Sequence, residues 1–258
     1  MNVLDIDNLS FAYEDLPGGQ RKEVLRSLSF RVEEGESVGL IGANGVGKST
    51  LLKLICGLLD IQQGKMVVAG LEVCRRNLKT IRSKVGYVFQ DSDSQLFMST
   101  VYEDVAFAPR NYGLKPEEVD EAVMRALSQV GMTERKDRQV YRLSGGEKKL
   151  ASIATVLAMP VSLMLMDEPT VGLDPKNRRN LIRVVNSLNC AKLVASHDLD
   201  FILDTCQRVV LLTYEGTVIA GTAQDILNDQ DLLESNGLEL PLSKNYLNKI
   251  MPQTRPFD

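Results

Sequence analysis

Gly42-Ala43-Asn44-Gly45-Val46-Gly47-Lys48-Ser49 fits the pattern GxxxxGK[ST], set between an apolar run, Ser37 to Ile41, and a helical pattern that begins at Leu51. No other feature of the sequence constrains the fold as much. Glycines let the backbone curl so that successive N–H groups, with a helix N-terminus behind them, face a phosphate. Lys48 would then reach the β- and γ-phosphates of a nucleotide, and Ser49 would bind Mg²⁺. The plain alternative is a glycine-rich turn with a solvated lysine, and the strand-before, helix-after setting weighs against it.

The flanking pattern predicts an α/β domain. Strands are expected at 4–11, 28–32 and 37–41, with Pro17-Gly18-Gly19 marking a loop between the first two, and again at 65–69 and 85–89. The helix after the glycine-rich loop should end near Gly57. From 94 to 141 the character changes to helix with a polar surface, including a segment opened by Lys115-Pro116-Glu117-Glu118 and closed near Gly131. Strand patterns return at 163–166, 192–195, 209–212 and 217–220, so the core is discontinuous in sequence. The longest apolar stretch, 150–166, carries Ser152, Thr155 and Ser162, is cut by Pro160, and falls short of the roughly 20 residues a bilayer needs. It reads as a helix followed by a buried strand. Beyond Thr222 a short helix is expected, then a polar tail with Pro241, Pro252 and Pro256.

Composition narrows the function classes. With 44% hydrophobic and 25% charged residues the chain is globular rather than disordered. A formal net charge of −4 gives no basic surplus for phosphate backbones, so direct nucleic-acid binding is not expected. The N-terminus MNVLDIDNLS has neither the basic start nor the apolar core of a signal peptide, and a cytosolic location is expected. Cys56, Cys74, Cys190 and Cys206 form no CxxC pair and are expected to be reduced and structural.

Three further groups carry chemistry. Leu163-Met164-Leu165-Met166-Asp167-Glu168 is an apolar strand ending in two carboxylates, of which Asp167 suits Mg²⁺ and Glu168 suits an attacking water. Leu143-Ser144-Gly145-Gly146-Glu147 precedes an apolar helix; its hydroxyl, bare N–H groups and helix dipole make an anion site. His197, the only histidine, directly follows the strand at 192–195.

With these elements in this order, the sequence resembles the nucleotide-binding subunits of ABC transporters over about residues 4–226. The resemblance implies a RecA-like P-loop NTPase core with an antiparallel β subdomain and an inserted helical subdomain. Residues 1–90 and 143–225 would form the core with its β subdomain, 91–142 the helical subdomain, and 226–258 a C-terminal extension. By the same resemblance Gly42, Ala43, Asn44, Gly45, Val46, Gly47, Lys48 and Ser49 form the Walker A loop on the ATP phosphates, with Thr50 beside it. Asp167 and Glu168 end the Walker B strand, Ser144, Gly145 and Gly146 belong to the signature motif, Gly172-Leu173-Asp174 is the D-loop, and His197 is the switch histidine. Gln90 falls at the Q-loop position, facing nucleotide and Mg²⁺, and Tyr13 where an aromatic ring stacks on adenine. Glu147 stands where many members have glutamine, and Leu150 where arginine is common.

The expected reaction is ATP + H₂O to ADP and phosphate, with Glu168, His197 and Lys48 as the catalytic groups and Ser49, Gln90 and Asp167 at the metal. The segments Gln90-Asp91-Ser92-Asp93-Ser94-Gln95-Leu96-Phe97, 100–109 and Ser196-His197-Asp198-Leu199-Asp200 are similar to the ATPase subunits of energy-coupling-factor importers, notably the cobalt and nickel branch. That similarity implies a second ATPase subunit as partner, in a homo- or heterodimer, and attachment to the inner face of the cell membrane. Integral membrane subunits would dock on the Gln90 to Asp104 region, with Glu103-Asp104 meeting cationic residues. The rivals are a non-transport ABC ATPase of DNA repair or translation, which usually carries tandem cassettes, a coiled coil or a basic extension, and a nucleotide-binding regulator without turnover.

Overall fold

The computed structural model describes residues 1–14 and 22–244. Two sheets form its frame. One is antiparallel, in the order β2-β1-β4-β5, from β1 (Asn2–Tyr13), β2 (Lys22–Glu33), β4 (Gln63–Val68) and β5 (Leu71–Glu72). The other, in the order β10-β9-β3-β8-β7-β6, contains β3 (Ser37–Ile41), β6 (Val85–Val88), β7 (Leu163–Asp167), β8 (Ala191–Ala195), β9 (Arg208–Leu212) and β10 (Val218–Thr222). Its strands run parallel except for β10 on the edge. The expected loop at Pro17-Gly18-Gly19 and the prolines Pro252 and Pro256 lie outside the described residues.

The parallel sheet explains the uninterrupted apolar runs. All five residues of β3, β7 and β8 are buried, because a parallel sheet is covered on both faces. Alternate side chains then enter different cores. Leu163 and Leu165 join a cluster with β1, β2 and the helix α1 (Lys48–Ile55), whereas Met164 and Met166 join a second cluster on the opposite face.

That second cluster includes the helices α3 (Val101–Asn111), α4 (Pro116–Gln129), α5 (Gly145–Leu157) and α6 (Pro175–Ser187). Pro116 opens α4 as expected, since a proline at the first turn sacrifices no helical hydrogen bond. Pro160 separates α5 from β7 as expected. The chain also forms β5 and α2 (Leu78–Lys84), which the sequence pattern does not announce. The last part holds α7 (Leu199–Thr205), α8 (Ala223–Asn228) and α9 (Gln230–Ser235), two short helices beyond Thr222 where one is expected.

Register sets the site. Leu40 and Asp167 both pair with Ala195, and Val88 pairs with Met166, so β3, β6, β7 and β8 end level with one another. The loops carrying Gly42, Gln90, Glu168 and His197 therefore open along one carboxyl edge, where open α/β sheets bind ligands.

Candidate functional site

At that edge lies a cleft of about 540 Å³ whose wall includes Tyr13, Asn44, Gly45, Gly47, Lys48, Ser49, Thr50, Gln90, Glu168 and His197. Sequence reasoning places all ten in one site, and the fold brings them together. Gly47 has φ 115°, and a Cβ there would come within 2.6 Å of Val24, so only glycine permits the turn into α1. Lys48 folds back onto its own loop, donating to the carbonyls of Gly42 at 2.7 Å and Ala43 at 3.2 Å. Burial lowers its pKa, and the carboxylates of Glu168 and Asp167 oppose that shift. Val46 packs, half-buried, against the core beneath the loop.

Behind the loop, Ser49 Oγ donates to Asp167 Oδ1 at 3.2 Å, while the phenol of Tyr87 donates to Oδ2 at 2.9 Å. Burial first, and the Asp167 charge second, raise the Tyr87 pKa, so it remains a donor throughout the working range. Ser49 and Asp167 present the hard oxygen donors that Mg²⁺ prefers. Among the described residues no group of three or more His, Cys, Asp and Glu side chains is placed to hold a metal ion. Such an ion would therefore need ligands beyond Ser49 and Asp167, from Gln90, phosphate or water.

Glu168 sits one residue beyond β7 with φ 45°, a left-handed conformation that side chains other than glycine rarely adopt. Two contacts hold it: its N–H donates to Ala195 O at 2.8 Å, and its Oε2 accepts from His197 N at 3.1 Å. The same Oε2 lies 2.7 Å from His197 Nδ1. A proton on Nδ1 leaves Nε2 for another partner, and protonated imidazole would offer that nitrogen as a donor. The next residue, Asp198, is fixed by a two-pronged contact from Arg178 at 2.7 and 2.9 Å. On the far wall Tyr13 bonds to Thr50 Oγ1 at 3.1 Å, and its ring, 36% exposed, stands edge-on to Phe11.

Ser144, Gly145 and Gly146 do not line this cleft. Gly145 borders a neighbouring depression with Gln90, Asp91, Val171 and Gly172. Ser144 is the N-cap of α5: its Oγ accepts from Glu147 N at 3.3 Å, and Glu147 Oε2 accepts from Ser144 N at 2.9 Å. Gly146 is required by close approach, because a Cβ would fall 2.3 Å from the Asn177 side chain on α6. Glu147 also meets Arg135 at 3.1 Å and Arg138 at 3.3 Å. The Ser144 contact foremost, with the arginines behind it, holds its carboxyl below the usual range.

One expectation is corrected. Asp104, read from sequence as a surface acid, is 3% exposed; its Oδ1 accepts from Phe97 N and Met98 N at 3.0 and 3.1 Å. It closes the loop before α3, and burial raises its pKa. Glu103 is half-buried, paired with Arg110 at 2.5 Å on the same helix. Sequence reasoning also missed Tyr87, Arg178, Gln95 and Lys149. Lys149 is 2% exposed and burial pushes its ammonium down to about 8. The only hint was a second lysine entering an apolar helix.

The chain matches the ABC transporter family profile over residues 25–171. It is 44% identical over 243 residues to a putative ABC transporter ATP-binding protein of Geobacter sulfurreducens, covering 94% of this chain and 95% of that one. It is 39% identical to the energy-coupling factor transporter ATP-binding protein EcfA of Methanothermobacter thermautotrophicus, covering 96% of this chain and 80% of the relative. The structure of cbiO1 from Clostridium perfringens, part of the ABC transporter complex cbiONQ, superposes with a TM-score of 0.81 at 28% identity, covering 98% and 96% of the two chains. On the phosphate loop, the paired carboxylates and these likenesses together, the chain belongs to the ABC transporter family as an ATP-binding subunit of the kind that hydrolyses ATP to power transport.

Proposed function

We propose that this chain is the ATPase of an energy-coupling-factor importer for cobalt, nickel or another micronutrient, working as a pair of cassettes against the inner face of the cell membrane. The observation that carries the reading is the convergence of Lys48, the Ser49–Asp167 pair and the Glu168–His197 pair on one cleft. Lys48 would exchange its loop carbonyls for the β- and γ-phosphates, and the loop amides from Gly42 to Thr50 would cradle the rest. Ser49, Asp167 and Gln90 would hold Mg²⁺, which supplies charge neutralisation on the phosphates when bound. Glu168 orients and deprotonates water, His197 and Lys48 stabilise charge on the γ-phosphate, and Tyr13 stacks on the adenine.

Ser144, Gly145 and Gly146 lie outside their own subunit's cleft, which fits a role over ATP held by a second cassette. No helix of the described residues is long and apolar enough to cross a membrane. Membrane subunits would instead seat on the Gln90–Asp104 region, where Phe97 is 62% exposed and packs edge-on against Phe107 at 4.8 Å. Of the Glu103-Asp104 pair only Glu103, half-buried and paired with Arg110, reaches the surface, and a cationic partner would have to compete with that arginine. We read residues 91–142 as the helical subdomain that carries this surface, with 1–90 and 143–225 as the core and 226–258 as an extension. Phosphate release from ATP by the purified chain tests the reading: Mg²⁺-dependent release that vanishes in Lys48→Ala supports it, and release indifferent to Lys48 contradicts it.

A further inference from the structure

Three side chains fasten the segment around Gln90 to the signature helix α5, one of them Lys148, whose Nζ lies 2.5 Å from Asp93 Oδ1 at the surface. Lys149 Nζ donates to the carbonyls of Phe89 at 2.8 Å and Gln90 at 2.9 Å. Gln95 Oε1 accepts from Phe89 N at 2.9 Å, while its Nε2 donates to Ser152 O at 2.9 Å and Thr155 Oγ1 at 3.0 Å. The main chain at Phe89 is thus gripped on both its N–H and its C=O, and every grip ends on α5. That helix starts at the Ser144 cap, so Lys149 stands barely more than one turn from the signature residues.

A buried ammonium is a costly way to hold a turn. A lysine taken out of water loses hydration that two carbonyls only partly replace, and the reactions of the cleft do not use it. Its value lies in what it connects. Gln90 lines the nucleotide cleft, and Gly145 borders the depression that Gln90 also borders. On the other side Gly146 is backed against Asn177, which Asp174 fixes through contacts at 2.8 Å. A displacement of the Gln90 backbone therefore has a buried, hydrogen-bonded route into the start of α5 through Lys149 and Gln95, beside the Lys148–Asp93 pair at the surface.

We propose that Lys149 is a positioning residue which, with Gln95, makes the Gln90 segment and the signature helix one mechanical unit, so that nucleotide in the cleft sets the aim of Ser144, Gly145 and Gly146. The inference rests on the nucleotide reading above. Lys149 stands outside the wall of the nucleotide cleft; it acts through the backbone of Gln90 and the first turn of α5.

Hydrogen–deuterium exchange on the full chain, with and without MgATP and at a concentration where it remains a single copy, tests the link without relying on turnover. In the parent, MgATP should alter exchange both at residues 42–50 and at 144–148. In Lys149→Met, the change at 42–50 should persist and that at 144–148 should disappear, with ATP affinity within about twofold and kcat down by about tenfold or more. Lys149→Arg, which can still donate to both carbonyls, should restore the change at 144–148. Lys149→Met that transmits the change and turns over within about twofold of the parent overturns the proposal, as does a matching loss of ATP affinity and kcat. If Lys149→Met does not fold, Gln95→Met is judged by the same criteria. A parent that responds at 42–50 but not at 144–148 also overturns it, whereas a parent that responds at neither refutes the nucleotide reading first.

Discussion

The carboxyl edge of the parallel sheet and the start of the signature helix are both built for anions, yet they are finished to different degrees. At the sheet edge each reactive group already holds an internal partner that a nucleotide would displace: Lys48 on the Gly42 carbonyl, Ser49 on Asp167, Glu168 on His197. At the signature the capping box is closed, the helix is braced by Asn177 and Glu147, and no phosphate-binding lysine or carboxylate pair of the same cleft stands over it. The first region gathers the groups that the proposed reaction needs around one cleft. The second stands outside that cleft, and the difference is what the proposal of a site shared between two cassettes rests on.

Ser144→Arg attacks the comparison most severely. A bulky cation at the α5 cap should reduce hydrolysis to background while ATP affinity of the separate subunit stays within about twofold, since every group of the phosphate loop remains. Titration of nucleotide beside a turnover assay checks this; parallel loss of both would place Ser144 in its own cleft.

Glu168→Gln comes next. It should keep ATP binding and lose about 10²- to 10⁴-fold in turnover, the range for removing a general base. Phosphate release in single turnover measures it, and a near-normal rate would remove Glu168 from the mechanism.

A smaller effect is expected behind the metal position. Tyr87→Phe takes away the donor that orients Asp167, and the Mg²⁺ concentration for half-maximal turnover should rise about tenfold, as for other outer hydrogen bonds to a metal ligand. An unchanged Mg²⁺ requirement would assign Tyr87 to packing alone.

Glu147→Gln should have the least effect. Glutamine keeps the capping geometry and loses only the contacts to Arg135 and Arg138, so stability should change by about 1 kcal/mol or less. The sign with pH follows from the lowered carboxyl pKa. Its contribution is present above the unfolded value of about 4.3 and is lost as pH falls through the folded one. Urea midpoints of parent and variant should therefore converge under acid conditions, and divergence there would contradict the assignment.

Much of this was legible in the sequence because phosphate chemistry is local. Eight consecutive residues write the loop, and four apolar residues before Asp167 and Glu168 announce a buried strand ending in acids. What was hidden depends on residues far apart in sequence. Tyr87 meets Asp167 across 80 positions, and Lys149 reaches Gln90 across 59; no spacing rule encodes such contacts. Asp104 shows the opposite failure. An acid in the first turn of a polar-looking helix suggests solvent, but the loop at Phe97 and Met98 needed an acceptor and took it inside. The short helices α8 and α9 were compressed into one for a related reason: each is capped by its own side chain, Thr222 and Asp229, a boundary that the apolar pattern alone does not mark.

The most direct test of a site shared between two cassettes is the solution mass of Glu168→Gln with MgATP and with MgADP. The account predicts the mass of two chains with ATP, of one chain with ADP, and of one chain with either nucleotide once Ser144→Arg is added. A mass that ignores the nucleotide, or an ATP-dependent pair that survives Ser144→Arg, would contradict it.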